Sequence, residues 1–138
     1  MSGQWTDTHL LFRQVHPNHV DGARPNSVAF SPTPKDEDKL SVDDSALATA
    51  EGCWRHFTET LGFSSAGTWA VSAGEIVEAG DLHLCKDPVV DLQDPTKSNP
   101  AHCVIDFCRL TSKGHRKKRA QTLAIKASER GCQFSAAK

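Results

Sequence analysis

Apolar residues recur at helical spacing in the middle of the chain, at steps of three and four positions: Leu47, Ala50, Trp54, Phe57 and Leu61. Such spacing places side chains on one face of an α-helix. Thr49, Asp43 or Asp44 is a suitable N-cap for this helix. Gly62 suits the left-handed residue that often follows a helix, and Phe63 is then placed to fold back on the last turn. The pattern therefore predicts a helix that ends near Leu61.

A longer helix is predicted over residues 112–130, where small and apolar residues recur at the same spacing: Ala120, Leu123, Ala124 and Ala127. Thr111 or Ser112 supplies the N-cap, and Gly131 ends the helix. A third, short helix over residues 73–79 follows from the capping-box spacing of Ser72 and Glu75.

Short apolar runs predict strands at residues 10–16, 27–30, 67–71 and 103–107, with an edge strand at 132–134. Residues 32–44 are predicted to form a loop that holds a small extended piece at 40–42. Residues 86–101 carry three prolines and are predicted to form a second long loop. The order of these elements favours an α+β (mixed α/β) fold, a small sheet with two or three helices packed on it, with residues 1–138 as a single domain.

Charge is divided unevenly along the 138 residues, although the formal net charge is only −1. Residues 1–108 hold 7 basic and 16 acidic side chains, whereas residues 109–138 hold 9 basic and 1 acidic. The chain is therefore an acidic body followed by a basic segment, a pattern that raises the question of a partner.

Membrane and secretory classes are not favoured by the sequence. Apolar runs are far shorter than the roughly 20 residues that span a bilayer, and the first residues lack the pattern of a secretory signal. The five cysteines form no Cys-x-x-Cys pair, which favours free thiols in a reducing cytoplasm. No glycine-rich phosphate-binding motif occurs, and no cofactor is expected.

Two groups of residues are candidates for catalysis. Arg13 and His16 lie together in the first predicted strand, where an Arg–His pair could bind a phosphate or polarise a carbonyl. The simpler interpretation is that His16, next to Pro17, makes a hydrogen bond within a turn. Cys53 and His56 lie three residues apart on the first helix, but a thiol near an apolar face is usually an inert core group.

Metal binding is a weaker hypothesis. His83 and Cys85 would point the same way on a strand, and Cys103, with His102 and Cys108, adds further soft ligands. However, the adjacent residues 102 and 103 would point to opposite faces of a strand, and Cys103 begins an apolar run typical of the core. The sequence therefore predicts no metal site.

Basic residues of the last helix form the strongest candidate binding surface: Arg116, Lys117, Lys118, Arg119 and Lys126. A cationic helix face could neutralise several phosphates of a nucleic acid or bind an acidic protein. The alternative is a solvated helix that balances the acidic body. No aromatic residue lies among these cations, which argues against stacking with single-stranded bases.

Several stretches, taken together, are distinctive: Leu11-Phe12-Arg13-Gln14-Val15-His16-Pro17, Ala29-Phe30, Pro32-Thr33-Pro34-Lys35-Asp36, Leu40-Ser41-Val42, Glu51, Trp54-Arg55-His56-Phe57 and Val104-Ile105-Asp106-Phe107. This set resembles an uncharacterised family of small bacterial hypothetical proteins, and the resemblance implies a bacterial cytosolic origin. A looser likeness is to ADP-ribosyltransferase-like folds, in which Arg13, His16 and Ser27 would fill the first two catalytic positions. The late strand offers Asp106 where those folds carry a glutamate.

Two functions are therefore predicted from the sequence. The first is a bacterial cytoplasmic binding or accessory protein that engages a protein or a nucleic acid through its charged surfaces. The second is a small, ADP-ribosyltransferase-like enzyme that handles NAD or another nucleotide and uses Arg13 and His16, with Ser27 as a further candidate.

Overall fold

A computed structural model describes residues 5–32 and 38–135 of the chain. Its main sheet has five antiparallel strands: β1 (Leu10–Val15), β4 (Lys39–Asp44), β5 (Gly67–Ser72), β6 (His83–Lys86) and β7 (His102–Asp106). They lie in the order β5-β1-β4-β7-β6, and β2 (Val20–Asp21) and β3 (Arg24–Pro25) form a separate hairpin. The predicted α+β class, a small sheet with helices packed on it, is confirmed.

Three α-helices accompany the sheet: α1 (Ala50–Arg55), α2 (Ala73–Ala79) and α3 (Lys113–Arg130). Helix α1 runs on into a π-helical turn, His56–Thr60, and ends before Gly62, whose φ of +79° is the left-handed value expected from the sequence. The Phe63 N–H donates to the Phe57 carbonyl oxygen at 3.1 Å, so the chain folds back on the last turn as predicted. None of the helices in the described part of the chain is long and apolar enough to cross a membrane.

The two faces of the sheet are covered to different extents. On one face, α2 and α3 pack over the strands and form the main core with these buried side chains: Leu11, Val15, Leu40, Val42, Val71, Ile105, Ile76, Ala120, Leu123 and Ala127. On the other face, α1 packs on β1 and β5 through a smaller cluster of Phe12, Cys53 and Ala70. The capping and apolar stripe predicted for α3 are confirmed, since Ser112 is its N-cap and all four predicted apolar residues are buried.

The strand predicted at residues 27–30 is wrong, because Ser27–Phe30 form a 3₁₀ helix. The Asn26 side chain accepts a hydrogen bond from the Val28 N–H at 3.0 Å, which caps a helical turn rather than starting a strand. Ala29 and Phe30 are nonetheless fully buried in the main core. The apolar run thus correctly predicts that these residues are buried, but it wrongly predicts that they form a strand.

The small extended piece predicted at residues 40–42 is confirmed, but it is longer than predicted, because Lys39–Asp44 form β4 near the centre of the sheet rather than the end of the loop predicted over residues 32–44. Residues 33–37 of that predicted loop lie outside the described residues.

Asp44 makes β4 difficult to recognise from the sequence, because its carboxylate occupies a core position of the strand and is only 2% exposed. It accepts hydrogen bonds from the Ala46 N–H at 2.8 Å and from His9, and Lys86 Nζ lies 3.5 Å away. Burial raises the pKa of Asp44, but these hydrogen bonds and nearby positive charges outweigh burial and lower it overall.

Two predicted element boundaries also need correction. The first helix begins at Ala50 with Thr49 as its N-cap, so Leu47 precedes it and is 57% exposed. The N–H of Leu47 donates to the Asp44 carbonyl in a turn at 3.0 Å. At the other end of the chain, residues 132–134 form a single bridge between Phe134 and Thr68 rather than an edge strand.

Residues 87–101 connect β6 to β7 and fold back on themselves. The N–H and carbonyl groups of Val89 and Asn99 pair across this connection at 2.9 and 2.8 Å. A short 3₁₀ turn, Pro95–Lys97, lies between them and is capped by Asp94. Through these contacts the connection forms a wall beside the less covered face of the sheet.

Arginines of α3 join the basic helix to the acidic body. Arg116 pairs with Asp38, and Arg119 Nη2 lies 3.5 Å from the Asp81 carboxylate. The Arg130 guanidinium donates two hydrogen bonds to the Glu75 carboxylate, at 2.8 and 3.0 Å. The split charge seen in the sequence is therefore partly neutralised within the fold.

Replacing Glu75 with Ala should lower the free energy of unfolding by about 1–2 kcal/mol, because Glu75 both closes the capping box of α2 and pairs bidentately with Arg130. Urea unfolding followed by tryptophan fluorescence measures the change. Glu78→Ala, at an exposed position on the same helix, is the matched control and should change stability by less than about 0.5 kcal/mol.

The effect of Glu75→Ala should also depend on pH. Burial raises the pKa of Glu75, but hydrogen bonds from Arg130 and Ser72 outweigh it and hold the pKa below its ordinary value of 4.5. The folded-state pKa is thus lower than the unfolded one, so the stabilisation is complete above pH 4.5 and disappears as the pH falls through the folded-state pKa. An equal loss of stability in acid and at neutral pH would contradict this assignment.

Candidate functional site

A cleft of about 430 Å³ lies on the less covered face of the sheet. Its floor is formed by β1, β4 and β7, its apolar side by α1 and the residues that follow, and its far wall by the 87–101 connection. The side chains that line it include Phe12, Gln14, Ser41, Asp43, Cys53, His56, Phe57, Leu61, Phe63, Val89, Asn99 and His102. Its volume lies within the range typical of small-molecule sites.

The cleft exists because α1 is short. The helix has six residues and its π-helical extension five, and within the sheet its main contacts are with β1 and β5. Phe57 and Phe63 pack against each other at its end, with ring centroids 5.1 Å apart, and their side chains face the cleft. Polar side chains of β4 and β7 are left uncovered beside this aromatic pair.

Ser41 and His102 lie at the floor of the cleft, and Asp87, which is not among the cleft residues, continues their hydrogen-bonded series through its backbone oxygen. The Nε2 atom of His102 lies 3.0 Å from Ser41 Oγ. The Nδ1 atom of the same ring lies 2.7 Å from the Asp87 backbone oxygen and 3.3 Å from the Asp87 carboxylate. The His102 side chain is 18% exposed, whereas that of Asp87 is 58% exposed. The serine and the histidine are thus paired as in nucleophilic hydrolases, whereas the backbone oxygen of Asp87 makes the hydrogen bond to the ring and its carboxylate lies nearby.

The surroundings of His102 determine which of its nitrogens carries the proton. A backbone carbonyl oxygen only accepts hydrogen bonds, so the 2.7 Å contact with Asp87 requires the proton on Nδ1. In the neutral ring Nε2 is then an acceptor and receives the Ser41 hydroxyl hydrogen. The ring is therefore oriented as a general base toward Ser41.

Asp43 lies on β4 directly opposite His102 in the register of β4 and β7. Its carboxylate accepts a hydrogen bond from Asn99 Nδ2 at 2.8 Å, which fixes it to the far wall. Burial first, and then the charge and hydrogen bonding of Asp43, raise the pKa of the nearby Cys53 thiol well above its ordinary value. Cys53 is therefore a protonated, poorly nucleophilic group, in agreement with the core role considered for it.

His56, the other residue of the predicted Cys–His pair, also lines the cleft. Its Nε2 atom lies 3.0 Å from the Thr96 backbone oxygen, so the histidine joins the end of α1 to the 87–101 connection. It is the first residue of the π-helical turn, a feature that often occurs at functional sites. In this structure His56 therefore connects the α1 side of the cleft to the 87–101 connection.

Arg13 lies at the edge of the cleft, where β1 and β4 separate. The strands pair at Leu11–Asp44 and Phe12–Asp43. Beyond these pairs the Arg13 side chain bridges the gap, with Nη1 donating to the Ser41 carbonyl at 3.0 Å and Nε donating to the Ala29 carbonyl at 2.9 Å. Its guanidinium therefore places positive charge beside Ser41.

The other two predicted catalytic residues do not join this group. His16 caps a 3₁₀ turn, and its Nδ1 accepts the Asn18 N–H at 3.0 Å, which is the turn hydrogen bond considered as the alternative. It lines a neighbouring depression with Arg13, whereas Ser27 lines a separate one with Arg24 beside α3. Among the depressions described for residues 5–32 and 38–135, Arg13 and His16 therefore share one and Ser27 lines another.

The metal-ligand candidates are separated by the strand register. Cys85 pairs with Val104 and His83 with Asp106, so their side chains lie on the face opposite to that of Cys103, which pairs with Lys86. Cys103 is 1% exposed within the main core, where burial and the charge of Asp44 raise its pKa to about 11. Within residues 5–32 and 38–135, no group of three or more His, Cys, Asp and Glu side chains is placed to hold a metal ion.

Predicted binding residues of α3 divide into two groups. Arg116 and Arg119 are held against the body, where Arg119 Nε also donates to the Gly80 carbonyl at 3.0 Å. Lys117 and Lys118 are exposed, and Lys126 is half-buried near Glu75. The surface that remains cationic is therefore narrower than the sequence indicated.

Ser41 and Asp87 are the site residues that sequence reasoning missed. The alternation Leu40-Ser41-Val42 does indicate that Ser41 faces away from the core, but it gives no partner for its hydroxyl. The sequence indicates His102 only as a candidate metal ligand. The pairing of β4 with β7, and of Asp87 with the carbonyl of His102, is what brings the three together.

Comparisons with protein-family models, with curated proteins and with solved structures give no match to this chain. The resemblance to a family of small bacterial proteins therefore stays a prediction.

Proposed function

We propose that the protein binds a small, largely apolar molecule with one polar end in the cleft above β4 and β7. The observation that carries this proposal is the pairing of an apolar wall with a polar floor in one cavity of about 430 Å³. Phe57, Leu61 and Phe63 offer apolar contact, while Ser41 and His102 offer hydrogen bonds. Sites of this kind gain affinity from the apolar contacts and orientation from the few polar groups.

The walls of the cleft support this use because they are held in place before any ligand arrives. The bond of His56 to the Thr96 carbonyl and that of Asn99 to Asp43 tie the far wall to α1 and to the floor. A preformed cavity avoids much of the cost of ordering side chains when a ligand binds.

Fluorescence titration with N-phenyl-1-naphthylamine, an uncharged apolar probe, should show saturable binding to the protein. Val89→Asp should weaken the binding by about tenfold, because Val89 lines the cleft and a carboxylate there would lose water on contact with the probe.

Val90→Asp is the matched control for this substitution. Val90 is the next residue, is 72% exposed and is not among the cleft residues, so probe binding should change by less than about twofold. Equal weakening in the two variants would place the probe elsewhere on the protein.

A second candidate function is the binding of nucleic acid by α3. The observation that favours it is that Lys113, Lys117 and Lys118 are exposed, whereas the arginines of the same helix are held against the body. Lysines on one stretch of a helix surface can neutralise phosphates without a shaped site. The predicted bacterial cytoplasmic binding protein corresponds to this candidate.

Short duplex DNA with a fluorescent label should bind weakly, and its affinity should fall steeply as salt rises from about 50 to 200 mM. The double variant Lys117→Glu/Lys118→Glu should remove most of this binding. Fluorescence anisotropy measures both effects.

Lys39→Glu/Lys97→Glu changes the net charge by the same amount at two exposed lysines outside α3 and is the matched control. Binding that is insensitive to salt, or lost equally in both double variants, would rule out a specific surface on α3.

A further inference from the structure

We propose that Ser41, His102 and Asp87 form a hydrolytic site that cleaves small carboxylic esters with an apolar acyl group. This inference rests on the proposed function, because the cleft must first hold the ester. It goes further by assigning a reaction to the polar floor of the cleft.

The geometry of the three residues carries the proposal. Ser41 Oγ and His102 Nε2 are 3.0 Å apart, within the range needed for a nucleophile and its base. His102 Nδ1 is held by the backbone oxygen of Asp87 at 2.7 Å and lies 3.3 Å from its carboxylate. The ring thus has one nitrogen fixed as a donor and the other directed as an acceptor at an exposed hydroxyl.

Backbone pairing between strands holds Ser41, His102 and Asp87 in place relative to one another. Ser41 and His102 lie on adjacent strands near the middle of the sheet, and the backbone pairing of Asp43 with His102 fixes their relative height. Asp87 follows β6 directly, and its N–H donates to the His102 carbonyl oxygen at 3.0 Å. A constellation supported by strands keeps the distances that catalysis requires.

The reaction would proceed in two steps. Ser41 Oγ attacks the ester carbonyl carbon while His102 Nε2 takes the hydroxyl proton, and the C–O bond to the alcohol breaks as His102 returns the proton to the leaving alkoxide oxygen. Water then attacks the resulting acyl-serine, giving one proton to His102. The bond to Ser41 Oγ breaks, the proton returns to that oxygen, and a carboxylic acid leaves. No oxidant, reductant or metal is needed to balance either step.

Neighbouring residues fit an ester of this kind. Phe57 and Phe63 supply an apolar surface for the acyl chain. The Arg13 guanidinium donates a hydrogen bond to the Ser41 backbone carbonyl, so it adds positive charge next to the backbone of the residue that carries the nucleophile.

Hydrolysis of p-nitrophenyl butyrate by the purified full chain tests the proposal. The wild-type protein should release p-nitrophenolate above the buffer rate, and Ser41→Ala should abolish this release. His102→Gln, which keeps a polar side chain but not the base, should reduce the rate by about 10²–10⁴-fold. Asp87→Asn should reduce it by only about tenfold, because the backbone oxygen of residue 87 still orients the ring.

A second measurement identifies the nucleophile directly. A fluorophosphonate probe should attach to Ser41, with fluoride leaving, and peptide mass spectrometry should locate the adduct there in the wild-type protein and find none in Ser41→Ala. Ser64→Ala is the matched control, because Ser64 is exposed and lies outside the cleft. It should keep both the hydrolysis and the adduct.

The outcomes separate this proposal from the binding function on which it rests. If the wild type binds N-phenyl-1-naphthylamine and hydrolyses the ester, and Ser41→Ala loses hydrolysis while Ser64→Ala keeps it, both proposals hold. If the wild type binds the probe but hydrolyses no ester, or if Ser41→Ala hydrolyses it equally, the hydrolytic site is wrong and the binding site stands. If the wild type neither binds the probe nor hydrolyses the ester, both are wrong.

Discussion

Incomplete cover of one sheet face is the constraint on which the rest of this structure depends. Helices α2 and α3 bury the strands on one side, whereas on the other side α1 packs mainly on β1 and β5. Antiparallel sheets tolerate one partly solvated face, since alternate residues of each strand can be polar. Ser41, Asp43 and His102 occupy such positions on β4 and β7. The 87–101 connection then encloses this polar patch against the aromatic end of α1, and a cleft results.

Charge within the fold follows from the same arrangement. The core side of the sheet is closed by a helix rich in cations, and its arginines extend to acidic groups of the body: Asp38, Asp81 and Glu75. Arginine suits these contacts because its planar group donates several hydrogen bonds at once, to carbonyls as well as to carboxylates. Three lysines of the helix, Lys113, Lys117 and Lys118, remain exposed. The basic residues that the sequence presents as one binding surface therefore divide into two groups: arginines that pair within the fold and lysines that face solvent.

Buried polar groups show where local patterns mislead. Asp44 occupies a core position of β4 and stays charged through its bonds to His9, Lys86 and the Ala46 N–H. The acidic residues at this position favour a loop in a prediction from sequence, because burying an unpaired carboxylate costs much free energy. Arg13 likewise lies in an apolar strand, yet its guanidinium replaces missing strand pairing between β1 and β4. Both residues are explained by partners far away in the chain.

Sequence alone determined the features that arise within a few residues: the cap of α2 by Ser72 and Glu75, the end of α1 at Gly62 and the buried stripe of α3. Those features depend on hydrogen bonds and side-chain periodicity inside one element, so a local pattern is sufficient. Tertiary structure alone decided the central place of β4, the pairing of the arginines and the meeting of Ser41 with His102, which lie 61 residues apart. Such contacts depend on strand order and register, and these are set by how the whole core packs rather than by any short stretch of the chain.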